Sequence, residues 1–438
     1  MRLTEITDDL TGAADSGSYF TARGRKVRIC TNGRCSLEHE TDEILTVNLS
    51  SRNTAQDKAR QLHADLLRRL EPGGFYMKKI GTGFRGNDSY ELDGLLDGWP
   101  DYNVFIVDNA PDLGTFTLYG NQYCEGEILP KSVYANDPIF PPTESYIPKI
   151  LGKDTDKKIG LVDIDAVKGS EETLLAAVEH QLAEETRILV FDAITRADVL
   201  HLLKTLAPRY PKVFWTGSLG IADGLAEYLY GPAQTHTFPV RDIRSLCFCA
   251  SAYDIAHKQI TYSAERGLQT VPLDIDAYIE GGKEVPQQAA KQAEQLLGQG
   301  SVILFPQVEK YSYKPGTSKA IMECFAQAAA AFDHDAAFDR LVIIGGETSQ
   351  GVLRQFGVEH LQLGCALEPG VAQGLMLDGC FAGREFALKG GSMGREDTLE
   401  KMLCRKEVVY RWNMNRSSGR NRPMTSSATR HWSTRRVW

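Results

Sequence analysis

The sequence predicts an α/β protein of two domains, each built on a mostly parallel sheet. Three observations lead there. The chain has 438 residues, more than one hydrophobic core usually organises. Short β-like runs alternate with amphipathic helical stretches, the order that βαβ units require. The alternation halts at a Gly-Pro turn and a polar stretch, then restarts.

In the first unit, residues 1–230, strands are expected at 26–31, 44–49, 74–80, 104–107, 159–162, 188–191 and 213–216. A short apolar-leaning opening holding Leu3 and Ile6 precedes them. Apolar residues at helical spacing mark 54–70, 171–183 and 218–230. Residues 231–244, opening Gly231-Pro232-Ala233, read as a linker. The second unit, 245–405, alternates again, with strands at 246–249, 268–272, 302–305 and 341–344 and helices near 255–266, 287–297 and 319–331. Residues 406–438 change character. They are rich in Arg and Ser, nearly free of Asp and Glu, and hold three of the five tryptophans. No helical or strand period is visible there, so a disordered or non-native tail without a function is expected.

Composition excludes several classes. With 42% hydrophobic residues and a net charge of −8, the chain reads as a soluble globular protein, not a nucleic-acid or membrane-surface binder. No apolar run could cross a bilayer, and Met1-Arg2-Leu3 does not open a signal peptide. The nine cysteines are an odd number without a CxxC pair, which suits a reducing cytoplasm better than a disulfide framework or a zinc site. Cys247 and Cys249 share one face of an expected strand and read as core. The nine histidines form no HxxxH or HExxH pair, so zinc-type catalysis is not expected; His257 and His360 read as surface or packing residues. No GxSxG elbow marks a hydrolase, and no GxxxxGK[ST] loop occurs.

The most informative segment is Leu3 to Asp15. A short strand runs into Asp8 and Asp9, then Thr11-Gly12 and a small-residue helix. In open α/β sheets ligands sit at the carboxyl ends of strands, beside helix N-termini that welcome anions. Two carboxylates there can hold a substrate hydroxyl, take its proton or bind Mg²⁺. Asp also caps helices, but a cap needs one carboxylate, not two. A second constellation, Lys78-Lys79-Ile80-Gly81-Thr82-Gly83-Phe84-Arg85-Gly86-Asn87, joins an expected strand to a helix at 88–96. Its glycines let backbone approach a ligand, and Arg85 can grip a carboxylate or phosphate with two donors. A third, Gly345-Gly346-Glu347-Thr348-Ser349, follows the strand at 341–344 and opens a helix, a natural phosphate site. Lys389-Gly390-Gly391-Ser392-Met393-Gly394 offers a second glycine-rich loop with a cation, and Ser251 follows the strand at 246–249. Three such turns in one domain point to a nucleotide.

Taken together, these motifs resemble the four-carbon acid sugar kinases, the threonate and erythronate kinase family, from Leu3 to about Leu403. That family opens with DDLTGA, matched by Asp8–Ala13, and carries KKxDSTLRGN, matched in part by Lys78–Asn87. Its GG(D/E)TS turn is matched by Gly345–Ser349, and its K-x-G-G-x-x-G-x-x-D segment by 389–397 with a slight shift. Smaller matches are Ser51-Arg52, Asp137-Pro138, Gly217-Ser218, Ser251 with Gln259, and Pro369-Gly370. The chain departs from the family at Gly81, where an aspartate is usual, at Thr115, where an arginine is usual, and around Ser251, where Gly-Ser-Cys-Ser becomes Ala250-Ser251-Ala252-Tyr253.

The resemblance implies an active site in the interdomain cleft of a cytoplasmic enzyme using ATP and Mg²⁺, with a small sugar acid as partner and neither nucleic acid nor membrane. A homodimer is compatible with it. Asp8, Asp9 and Lys79 are the implied catalytic residues. Ser51, Arg52, Lys78, Arg85, Gly86 and Asn87 would bind the acid. Ser251, Gly345, Gly346, Glu347, Thr348, Ser349, Gly390, Gly391 and Gly394 would hold ATP. No metal ligand is singled out. The alternative is a degenerate sensor that binds a sugar acid or ATP without turnover, motivated by Gly81 and Thr115. A dehydrogenase is disfavoured, because no GxGxxG with a later acidic residue follows the first strand.

Overall fold

Strand β1 (Leu3–Thr7) is buried along its whole length, as a parallel strand covered on both faces must be. A computed structural model of the chain describes residues 2–410, apart from 41, 138–139, 235, 239–242, 252, 313 and 405–407. In the first half, β1 is followed by β2 (Val27–Cys30), β3 (Ile44–Asn48), β4 (Phe75–Lys79) and β5 (Asn103–Ile106). A small antiparallel sheet of β6 (Thr115–Leu118), β7 (Asn121–Cys124) and β8 (Glu127–Ile128) interrupts the alternation. The parallel sheet resumes with β9 (Ile159–Val162), β10 (Ile188–Phe191) and β11 (Val213–Gly217). The second half contributes β13 (Ser245–Cys249), β14 (Gln269–Asp274), β15 (Val302–Gln307), β16 (Arg340–Ile344), β17 (His360–Leu363), β18 (Val371–Met376) and β19 (Glu385–Lys389), after β12 (His236–Phe238) in the connecting stretch.

The two halves share one sheet. Its order is β14-β15-β13-β16-β19-β18-β17-β2-β3-β1-β4-β11-β5-β10-β9. Strands from β2 to β9 are parallel throughout, as are β14 to β19 on the other side. Between them lie three antiparallel steps, β19/β18, β18/β17 and β17/β2. Three reversals make the two parallel halves run in opposite senses.

The sequence pattern located the expected strands and helices to within a few residues, for instance Glu171–Ala183 and β9, whose bounds it matches. It gave no sign of β17, β18 or the Arg196–Leu206 helix. Two expectations are corrected. Val408–Tyr410, placed in the irregular tail, forms β20 and pairs antiparallel with β12, inside the expected linker; residues 411–438 lie outside the described residues. Cys30 and Cys35, expected as free thiols, are paired, because the 31–34 turn brings their Cα atoms to 6.1 Å.

Candidate active site

The β1 strand ends at Thr7 and delivers Asp8 and Asp9 to the N-terminus of the helix Leu10–Thr21. Asp9 is that helix's cap: Oδ1 accepts the Gly12 N–H at 3.1 Å and Oδ2 accepts the Thr11 hydroxyl at 2.6 Å. Gly12 is required here, since a Cβ would stand 2.4 Å from Asp9 Oδ1. Arg52 ties the doublet together, donating from Nε to Asp8 at 2.7 Å and from Nη2 to Asp9 at 2.9 Å. Burial alone would favour a protonated Asp8, but Arg52 and the lysines Lys78 and Lys79 outweigh it and hold the carboxyl well below its usual range. Asp8 is therefore a fixed anion, whereas Asp9 keeps its side chain partly open.

Lys78 and Lys79 alternate on β4 and separate in role. Lys78 is fully buried, 2.7 Å from Glu91, which also accepts the Ser51 hydroxyl at 2.5 Å. Burial pulls the Lys78 ammonium down, yet Glu91 wins and raises it. His63 lies 3.8 Å from the same carboxylate, and burial pushes its imidazole down to about 4. Lys79 Nζ donates to the Ile80 carbonyl at 2.6 Å, and lies where a Cβ on Gly12 would meet it at 3.5 Å. It is the lysine on the Asp9 side.

In the turn after β4, Asn87 spends its amide on the carbonyls of Ser51 and Thr54, at 2.8 and 2.9 Å, and so fixes the loop that carries Arg52. Gly86, at φ 135°, lets the backbone pass Arg52, where a Cβ would meet Cγ at 3.0 Å. Arg85 pairs with Asp137 at 3.1 Å and lies over the Tyr134 ring. Gly81 stands beside Arg52, 3.2 Å from Nη2 to a Cβ. A carboxylate at that position would compete for the guanidinium that here serves Asp8 and Asp9. Thr115 is buried in β6. Pro138 and Ala252, quoted with the sequence motifs, lie outside the described residues.

In the second half, β13, β16 and β19 end at Cys249, Ile344 and Lys389, and Ser251, Gly345 and Gly390 follow them. Gly345 takes φ 105°, which a side chain would strain, and its carbonyl accepts the Ser349 hydroxyl at 2.8 Å. Thr348 is buried against Met322. Gly391 is packed against Ser251, with only 2.3 Å from a built Cβ to Oγ. Gly394, at φ 85°, turns the chain over Thr398. Lys389 is buried and donates at 2.9 Å to the carbonyls of Gly390 and Met393; burial brings its ammonium down to about 8. Gln259 braces the same turn through the Met393 and Arg395 carbonyls.

The two sets meet. A Cβ on Gly346 would lie 3.0 Å from Asp9 Oδ2 and 3.3 Å from Thr11 Oγ1. The Asn53 amide donates to Glu347 across the same boundary. Asp15, one helical turn beyond Gly12, feels both Lys79 and Lys389, yet burial still pushes its carboxyl up to about 7. Glycine-lined backbone, a buried lysine and a helix N-terminus suit a polyphosphate.

Sequence reasoning missed Glu91, Asn53 and Asp15. Glu91 was legible in principle, as a carboxylate spaced four residues from the apolar Leu95 on a helix most of whose residues are buried. Nothing local marks Asn53, whose role depends on the opposite domain.

Known proteins show the same division. Residues 3–225 match the model of a sugar-binding N-terminal domain, and residues 246–399 that of a nucleotide-binding C-terminal domain. The chain is 26% identical over 419 residues to the 3-oxo-tetronate kinase of Burkholderia multivorans, covering 91% of this chain and 96% of that one. To the Pseudomonas fluorescens 3-oxo-tetronate kinase it is 24% identical over 428 residues, covering 91% and 95%. The crystal structure described as the putative tRNA synthase of Salmonella typhimurium LT2 has the same fold, with a TM-score of 0.75, 20% identity and coverage of 91% and 98%. A Haemophilus influenzae crystal structure follows with a TM-score of 0.69, 23% identity and the same coverage. Among the described residues no helix is long and apolar enough to cross a membrane. With both of its domains matched in order between residues 3 and 399, the chain belongs to the four-carbon acid sugar kinase family.

Proposed function

We propose that the protein transfers the terminal phosphoryl group of ATP to a hydroxyl of a four-carbon sugar acid, with 3-oxo-tetronate, threonate and erythronate as the substrates to try first. One observation carries the reading: Gly346, at the start of the helix that would receive phosphates, stands against Asp9 on the acid-binding side. The relatives named 3-oxo-tetronate kinase support the same chemistry.

Phosphoryl transfer asks for positioning and charge stabilisation more than covalent chemistry. In this reading Ser251, Gly345–Ser349 and the 390–394 turn hold ATP, with Lys389 beneath the turn. Mg²⁺, when bound with the nucleotide, neutralises phosphate charge. Asp9 accepts the proton of the attacking hydroxyl, being the carboxylate that is partly open and not buried under Arg52. Asp8 orients Arg52, and Lys79 faces charge developing on the transferred group. Lys78 and Asn87 act through Glu91 and the 51–54 loop rather than by touching substrate. Arg85, with Arg52, is the guanidinium available to the acid's carboxylate, and Gly86 gives it room. Gly81 and Thr115 alter the acid pocket and leave the nucleotide turns alone, which favours a shifted acid preference.

The test is ADP release from Mg-ATP against a panel of three- to five-carbon sugar acids. Turnover on one acid and its phosphorylated product in the mixture are expected. ATP binding by calorimetry with no turnover on any acid would favour the second reading, a sensor, which the loss of an acidic residue at Gly81 motivates.

A further inference from the structure

The seam between the two halves holds a cluster that the phosphoryl-transfer reading does not use. There β2 and β17 pair antiparallel with Cys30 opposite His360. Cys35 returns to the same place through the 31–34 turn. One ligand atom each from Cys30, Cys35 and His360 lies within 4.8 Å of the others. Two thiolates on a tetrahedral zinc ion stand about 3.8 Å apart, and a thiolate and an imidazole nitrogen about 3.6 Å, from the usual bond lengths. With the Cα atoms of the two cysteines 6.1 Å apart, the sulfurs can part to that distance once the S–S bond is opened.

The surroundings are built. Asp378 Oδ2 faces His360 Nδ1 at 2.6 Å, while Oδ1 accepts the N–H groups of Glu359 and His360. A carboxylate on one ring nitrogen fixes the tautomer and leaves Nε2 as the ligand, the arrangement typical of metal-bound histidine. Nε2 faces the Ser36 carbonyl at 3.3 Å. An acceptor nitrogen opposite an acceptor oxygen is unfavourable unless a cation or a second ring proton lies there. The cysteine turn is equally fixed: Thr31 bonds to the Val358 and Glu359 carbonyls, and Arg69 holds the Cys35 carbonyl at 2.7 Å. Both cysteines are buried.

We propose that, when its sulfurs are reduced, the Cys30–Cys35–His360 cluster binds a thiophilic divalent cation of the zinc class. This site would clip β2 of one half to β17 of the other, with a fourth position left to solvent. A trialkylphosphine reduces the pair: it becomes the phosphine oxide, taking oxygen from water, and each sulfur gains one proton. Metal binding then releases both protons to the buffer. The disulfide form has no thiolate to offer, so metal and disulfide exclude each other.

The full-length protein is reduced with the phosphine, desalted without air and titrated with Zn²⁺ against a chromophoric chelator. Co²⁺ serves as a second probe through its thiolate charge-transfer absorption. One equivalent is expected, absent from the oxidised protein and retained by Cys380→Ser. Cys35→Ser and His360→Asn abolish the cobalt absorption or weaken binding at least 10-fold, and Asp378→Asn weakens zinc by about 10- to 100-fold. Each variant's melting temperature is measured beside the wild type; should Cys35→Ser fail to fold, Asp378→Asn and the wild-type cobalt spectrum decide. No saturable equivalent in the reduced protein, or unchanged affinity in His360→Asn, overturns the site.

Discussion

Gly346 and Asp9 meet across the boundary of the two halves, so closely that a Cβ on the glycine would sit 3.0 Å from the carboxylate oxygen. This contact brings the phosphate-type turn of one domain onto the carboxylate doublet of the other. Gly346 does not adopt a positive φ, so its lack of a side chain answers to space and not to backbone strain.

Gly346→Ala separates those effects. Alanine is the better helix former, so the helix Gly346–Gln355 should keep or gain stability. The added methyl displaces Asp9, and misplacement of a reacting group costs on the order of 10- to 100-fold in rate. An unchanged melting temperature with a kcat lowered at least 10-fold is expected. A kcat equal to wild type would show that Asp9 tolerates the shift.

Asp9→Asn tests the assignment of the base. The amide keeps an oxygen for the Gly12 cap but has no charge for Arg52 and cannot take a proton. Loss of general base catalysis is worth roughly 10²–10⁴-fold in kcat. A fall of that size, with KM for ATP little changed, is expected from steady-state kinetics. Asp8→Asn should differ in kind, lowering thermal stability as well, since Asp8 is buried and pairs with Arg52 at 2.7 Å.

Lys78 and Lys79 look equivalent in the sequence and are not. Lys78→Met removes the partner of buried Glu91, leaving a carboxylate faced by the Ser51 hydroxyl and, at 3.8 Å, by His63. Breaking a buried pair from one side costs about 3–5 kcal/mol. Urea denaturation should read that loss for Lys78→Met, while Lys79→Met changes stability less and turnover more. A loss below about 1 kcal/mol for Lys78→Met would place the pair in the surface class.

How much of this was legible in the sequence follows from the range of the interactions. Asp8, Asp9, the Gly345–Ser349 turn and the 389–394 turn announce themselves because strand, glycine and cap lie within ten residues of one another. The partners of Lys78 and Asn87 were not legible, for the opposite reason. Each is defined by a partner brought in by another strand or helix, Glu91 for Lys78 and the 51–54 carbonyls for Asn87. The seam was invisible as well. β17 is only four residues long, β18 carries a glycine and no regular alternation, and both are held in the sheet by pairing with β2 and β19. Cys30 and His360, 330 positions apart in this numbering, face each other only through that pairing.

Glu5 sits in the middle of β1 with its side chain buried, and Oε2 accepts the Thr46 hydroxyl at 2.8 Å. Burial pushes its carboxyl from 4.5 up to about 7, against the pull of Ser16, Thr46 and the two lysines. The native state therefore holds a proton between pH 4.5 and about 7 that the unfolded chain has released. Stability from this group is complete below 4.5 and is lost as pH rises towards 7, roughly 3 kcal/mol in all. Glu5→Gln replaces the protonated acid with a neutral isostere and removes the dependence. The difference in unfolding free energy, mutant minus wild type, should rise between pH 4.5 and 7 and level off above it. Other titrating groups cancel in that difference, because both proteins carry them. Urea midpoints taken across this range check the slope, and a difference independent of pH would mean that Glu5 is ionised in the folded protein.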